Sequence, residues 1–102
     1  MSHSDDNPVF SVIIPAYNEE KKYLREAIQS IFEDSFDSFE VIVVDDGSTD
    51  NTAAIVKAFP AVKYVYQENQ GDAAARNKGV SVSRGGIIAF LDSDDIWLPG
   101  RF

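Results

Sequence analysis

Between Ile87 and Asp95 the chain passes from an unbroken apolar run, Ile87-Ile-Ala-Phe-Leu91, into Asp92-Ser-Asp-Asp95, three carboxylates in four residues. Like charges packed that closely in a dry interior are prohibitively costly without a cation. The triplet therefore belongs at the rim of a sheet, where a hard divalent metal accepting carboxylate oxygens would offset the repulsion. Alone, the tetrapeptide reads equally well as a solvated acidic turn, since Asp and Ser are ordinary turn residues.

Three other clusters carry comparable chemistry: Pro15-Ala-Tyr-Asn18, Asp45-Asp-Gly-Ser48 and Asn69-Gln-Gly71. A carboxylate such as Asp45 accepts a hydrogen bond from a nucleobase N–H. Tyr17 offers a flat face on which a base stacks. Arg76 carries a bidentate fork suited to phosphate oxygens. Each residue also has a plainer role. Asp46 and Asp50 serve as loop and cap residues, Tyr17 as a half-buried loop aromatic, and Asn69 with Gly71 as a tight turn. Arg76 can pair with Asp72 at i, i+4.

The elements that must hold these clusters follow from the apolar pattern. Val9 to Ile14 is a β-branched strand that Pro15 should stop. Asn18 is placed to cap a helix whose Leu24, Ala27, Ile28, Ile31 and Phe32 share one face. Val41 to Val44 is a second apolar strand, and Thr49, Asp50 or Asn51 can cap a helix ending before Pro60. Val62 to Tyr66 alternates more and suits an edge strand. A third helix through Ala73 and Val80 breaks at Arg84-Gly85-Gly86, and Ile87 to Leu91 reads as a strand buried on both faces. This β-α-β-α-β-α-β order implies a parallel sheet with helices on both faces. In such sheets ligands bind at the carboxyl ends of the strands. All four polar clusters fall there.

Composition narrows the partners. With 102 residues the chain is one domain or less, and 44% hydrophobic residues suffice for a core. Residues 1–8 read as a polar tail and 9–102 as the folded part, with His3, the one histidine, in the tail. Nine Lys and Arg against seventeen Asp and Glu give a net charge of -8, which supplies no cationic footprint for nucleic acid. The absence of cysteine suits a reducing compartment, hence a cytoplasmic expectation. No apolar stretch approaches the ~20 residues of a membrane span.

Four stretches together resemble the successive signatures of family 2 glycosyltransferases. They are Val12-Ile-Ile-Pro-Ala-Tyr-Asn18, Val43-Val-Asp-Asp-Gly-Ser-Thr-Asp-Asn-Thr52, Asn69-x-Gly71 with Ala75-Arg-Asn-x-Gly79, and Phe90-Leu-Asp-Ser-Asp-Asp95. The resemblance implies a Rossmann-like GT-A sandwich with strand order 3-2-1-4 and a nucleotide-diphosphate-sugar donor, UDP-linked. It also implies inverting transfer to a glycan or lipid-linked acceptor, assisted by Mn2+ or Mg2+, in cell-wall or polysaccharide biosynthesis. On that basis Ala16 and Tyr17 line the base pocket, Asp45 reads a uracil-like edge, and Arg76 reaches the base or phosphates. Asp92 and Asp94 form the metal-binding D-x-D element, with Asp94 the first choice for ligation. Pro15, Glu19, Asp46, Asn69, Gly71 and Ser93 complete the donor site. Family members continue beyond Phe102 with the acceptor pocket and general base. The expectation is therefore a donor-binding half, inactive alone, whose Ile87 to Leu91 edge self-associates; membrane attachment would rest on segments outside it. A receiver-like Mg2+ module would need a Lys after the last strand, where Asp92 to Asp95 stand. A nucleotidyltransferase would favour a basic Gly-rich loop where Pro15-Ala-Tyr-Asn18 stands.

Overall fold

A computed structural model of the chain describes residues 8–18, 23–33 and 38–92. Among these residues the elements alternate as β1 (Phe10–Ala16), α1 (Leu24–Phe32), β2 (Phe39–Asp46), α2 (Thr52–Lys57), β3 (Val62–Gln67), α3 (Asp72–Val82) and β4 (Ile87–Phe90). The strands are parallel and lie in the order β3-β2-β1-β4, as expected from the sequence.

The unbroken apolar runs of β1 and β2 are explained by burial on both faces. On one face Val12, Ile14, Val41 and Val43 pack with Leu24, Ala27, Ile28 and Ile31 of α1 and with Ile55 and Val56 of α2. On the other, Ile13, Ile42 and Val44 pack with Ala75 of α3. Each fully buried Ile or Leu contributes about 1.5–3 kcal/mol by leaving water. Register then aligns the strand ends. Ala16 lies opposite Asp45, and Asp45 opposite Tyr66, so β1, β2 and β3 finish flush.

Pro15 does not stop β1, contrary to the sequence expectation; it pairs with Val44 inside the strand. Alternate residues of a strand present their backbone groups to alternate neighbours. The Ile13 carbonyl accepts from Leu91 N–H on the β4 side, so Pro15, two residues on, also faces that side. There the ladder has ended, at Ile13 opposite Phe90. The missing N–H of proline thus removes no bond to β2.

β4 also departs from expectation. It is not buried on both faces: Ile87 is 49% and Phe90 41% exposed. Among the described residues β4 pairs only with β1, which leaves it an edge. Its entry is fixed at the amino-terminal rim of the sheet by Glu40. The Glu40 carboxylate accepts from Ser11 Oγ at 2.6 Å and from Arg84 N–H at 2.5 Å, while Ser11 Oγ accepts from Gly85 N–H at 2.8 Å. Burial pushes the Glu40 carboxyl up, but Ser11, the Arg84 amide, Lys63 and the Gly85 amide outweigh it and hold the group below its ordinary value. No helix among the described residues is long and apolar enough to cross a membrane.

Candidate functional site

Asp45 and Asp46 are neighbours in β2, so their side chains leave opposite faces of the sheet. Asp45 points to the α1 and α2 side, and only 1% of the residue is exposed. One carboxylate oxygen accepts from Ser48 N–H at 2.9 Å, the other from Tyr64 Oη–H at 2.6 Å. Tyr64 lies opposite Val43 in register, two residues before Tyr66, and therefore shares the Asp45 face. Burial, then the hydrogen bond to Asp45 and that residue's charge, push the Tyr64 hydroxyl well above its ordinary value. Lys57 Nζ sits over the Tyr64 ring, 5.2 Å from its centroid.

Asp46 turns to the α3 side and shapes the chain that enters that helix. Its carboxylate accepts from Gln67 Nε2 at 2.8 Å, Gln70 N–H at 2.8 Å and Gly71 N–H at 2.9 Å, with Asn69 Nδ2 at 3.4 Å. Burial alone would raise this carboxyl, but Gln67 and the Gln70 and Gly71 amides outweigh it and hold the group low. Asn69 Nδ2 also donates to the Asp46 carbonyl at 2.9 Å. The following turn needs Gly47 twice over. Its φ is +83°, and a Cβ there would stand 2.8 Å from the Asn69 nitrogen.

Asn18 does not cap α1. The helix begins at Leu24 after Tyr23, with no side-chain cap bond. Instead Asn18 adopts a left-handed backbone, φ 51°, and clasps the turn after β2. Its N–H donates to Ser48 Oγ at 2.8 Å and its Oδ1 accepts from Thr49 N–H at 2.8 Å. A short polar side chain that tolerates φ > 0 is what this bend requires. For α2, Asp50 accepts from both Thr52 N–H at 3.0 Å and Thr52 Oγ1 at 2.5 Å, one residue before the Asn51 cap position. Pro15 and Ala16 are buried at the end of β1, whereas Tyr17 beside them is 46% exposed.

Arg76 stands on the other side of the β1 tip. Its Nη2 lies 4.0 Å from both Asp72 Oδ2 and Asp92 Oδ1, and its guanidinium is 6.0 Å from the Phe90 ring centroid. The i, i+4 pair anticipated from sequence is therefore present, and Arg76 also faces the acidic rim. The Asp92 side chain is 67% exposed and available to a hard cation as an oxygen donor. Glu19, Ser93, Asp94 and Asp95 lie outside the described residues. Among the described residues no trio of acidic or histidine groups is gathered for a metal. The donor chemistry of Asp92 suits Mn2+ or Mg2+, as one ligand of a larger set.

Thus Tyr17, Asp45, Asn69, Gly71, Arg76 and Asp92 all come to the carboxyl edge of the sheet, with Pro15 and Ala16 beneath. Sequence reading did not single out Tyr64 or Gln67, which hold Asp45 and Asp46. Their signal lies in the pairing register: Gln67 ends β3 opposite Asp46, and Tyr64, three residues earlier, lies opposite Val43 on the Asp45 face. An apolar hollow of about 320 Å3 between Phe32, Phe59 and Pro60 sits near the opposite edge and holds none of these groups.

Residues 11–102 match the family described as Glycosyl transferase family 2. The chain is 45% identical over 93 residues to Glycosyltransferase GlyG of Streptococcus pneumoniae serotype 4, covering 86% of this chain and 31% of that protein. It resembles the crystal structure of S. aureus TarS 1-349 in complex with UDP with a TM-score of 0.80 and 39% identity, covering 85% of this chain and 28% of that one. Mannosyltransferase PcManGT from Pyrobaculum calidifontis, in complex with GDP-Man and Mn2+, gives a TM-score of 0.75 and 31% identity over 89% of this chain and 29% of that one. The chain therefore spans roughly three-tenths of the length of these relatives. Its 3-2-1-4 parallel sheet is that of the GT-A fold.

Proposed function

This chain belongs to glycosyl transferase family 2, and on that premise we propose that it forms the donor-binding part of an inverting glycosyltransferase. The donor is a nucleoside-diphosphate sugar, UDP-linked, and the acceptor a glycan or lipid-linked glycan. One observation carries the reading: Asp45 and the Arg76–Asp92 pair flank the tip of the same central strand, β1, with exposed Tyr17 between them. β2 and β4 are two strand spacings apart, roughly 10 Å, a span that a nucleoside diphosphate bridges.

Laid across that tip, the base meets Asp45 and stacks on Tyr17, over Pro15 and Ala16. Because Asp45 is 1% exposed, the groups packed around its carboxylate must yield for the base to reach it. The diphosphate then reaches Arg76, whose planar fork matches its oxygens. Asp46, Asn69 and Gly71 act indirectly by shaping the segment that presents Arg76. Asp92, with Asp94 beyond the described residues, would hold the Mn2+ or Mg2+, and Ser93 and Glu19, also beyond them, are assigned to the donor. A divalent metal held there would supply positive charge to offset the negative charge developing on the departing diphosphate. Arg76 adds a fixed positive charge to the same leaving group. Inversion requires a base within reach of the acceptor hydroxyl, a role we assign to none of the described residues.

Calorimetric titration of the chain with UDP tests this, with Mn2+ and then with excess chelator. Binding that needs the metal and disappears in Asp94→Ala supports the reading. Equal UDP affinity with and without metal, or none at all, overturns it.

A further inference from the structure

The Asp45 carboxylate has about four lone-pair positions. Tyr64 Oη–H takes one on one oxygen at 2.6 Å, and Ser48 N–H takes one on the other at 2.9 Å. The two donors come from different segments, Tyr64 from β3 and Ser48 from the turn after β2, so together they fix both the plane of the carboxylate and the lone pairs left free. Tyr64 is itself held firmly. Its ring packs against the core formed by Val41, Val43, Ile55 and Val56, and Lys57 Nζ caps the ring at 5.2 Å. A phenol donating into a carboxylate leaves that carboxylate with acceptors only. In a position 1% exposed, water cannot make good a mismatched partner.

Resting on the donor-site reading and deepening it, we propose that Tyr64 is a positioning residue for base selection. Its hydroxyl locks Asp45 as an oriented pure acceptor, so the site takes a base presenting a ring N–H and rejects one presenting a ring lone pair. Uracil offers N3–H at that edge. Cytosine offers a bare N3, whose lone pair faces the carboxylate. Asp45 supplies the charge, and Tyr64 decides where it points.

The test is the ratio of UDP to CDP affinity, measured with Mn2+ for the chain and for Tyr64→Phe, which keeps the ring and removes only the hydroxyl. The unmodified chain should prefer UDP by about tenfold or more, the scale of one well-placed pairing. In Tyr64→Phe, UDP should weaken about tenfold with CDP nearly unchanged, so that the ratio falls towards one. A merely structural role would weaken both nucleotides alike and preserve the ratio, and that result overturns the inference. So does an unmodified chain that binds UDP and CDP equally, although the donor site itself would then stand. An unmodified chain that binds neither defeats the donor-site reading as well. Should Tyr64→Phe fail to fold, Lys57→Met carries the test, because it removes the cation over the ring without touching Asp45 or Ser48. A narrowed ratio there supports the inference, and an unchanged one overturns it.

Discussion

Gly79 lies within α3, where replacing glycine by alanine ordinarily stabilises a helix by about 1 kcal/mol. Here the opposite is expected. A Cβ at position 79 would stand 2.4 Å from Ile13 Cγ2 and 3.2 Å from both Cγ1 and Cδ1. Carbon atoms in contact prefer roughly 3.5–4.0 Å, so the overlap with Cγ2 exceeds about 1 Å. Ile13 cannot retreat easily. It is fully buried in β1, which is hydrogen-bonded on both sides, and its β-branched side chain is stiff at χ1. Either Ile13 leaves its rotamer or α3 lifts from the sheet, and overpacking of this kind costs about 1–3 kcal/mol. Where the cost is at its upper end, the propensity gain does not offset it, leaving a net loss of about 1–2 kcal/mol. For a domain of this size that lowers Tm by about 5–15 °C. Thermal and urea unfolding followed by circular dichroism measure it, and UDP titration should report weaker binding because Arg76 rides on the same helix. On an Ile13→Ala background the penalty of Gly79→Ala should largely vanish, since Cγ2 is gone. A Gly79→Ala protein with unchanged or raised Tm would refute the packing argument and leave propensity in charge.

The other predictions concern the carboxylates and the edge strand. Asp46→Asn turns an amide NH2 towards donors on Gln67, Gln70 and Gly71, and should cost about 2–3 kcal/mol in urea unfolding; an unchanged midpoint would show that the loop is held by something else. Glu40 and Asp46 are both held below their ordinary values of 4.5 and 3.8, so the unfolded chain binds protons first as pH falls. Their stabilisation is complete above those ordinary values and is lost as pH drops through the lowered folded ones; Glu40→Gln should flatten this acid limb in pH-dependent melts. Ile87 and Phe90 expose apolar surface on β4, so sedimentation should reveal concentration-dependent association that Ile87→Lys abolishes. A clean monomer at high concentration counts against that.

The linear chain determined the alternation of strands and helices, because unbroken β-branched runs and the Leu24 to Ile31 stripe admit few other arrangements. It also determined that every polar cluster ends a strand, and hence that the chemistry shares one edge of a parallel sheet. Pro15 shows where local signals fail. Whether a proline breaks a strand depends on which neighbour its missing N–H would have faced, and pairing alone decides that. Asn18 had the right residue type for a cap, yet its partners, Ser48 and Thr49, lie thirty residues on and more. The division of labour between Asp45 and Asp46 was likewise hidden. Adjacent acids look equivalent in one dimension, but strand alternation sends one to Tyr64 and Ser48 and the other to the mouth of α3. Residue type fixed which groups could bear charge; only long-range pairing settled which partners hold each one, because a hydrogen bond depends on distance in space and not on separation along the chain.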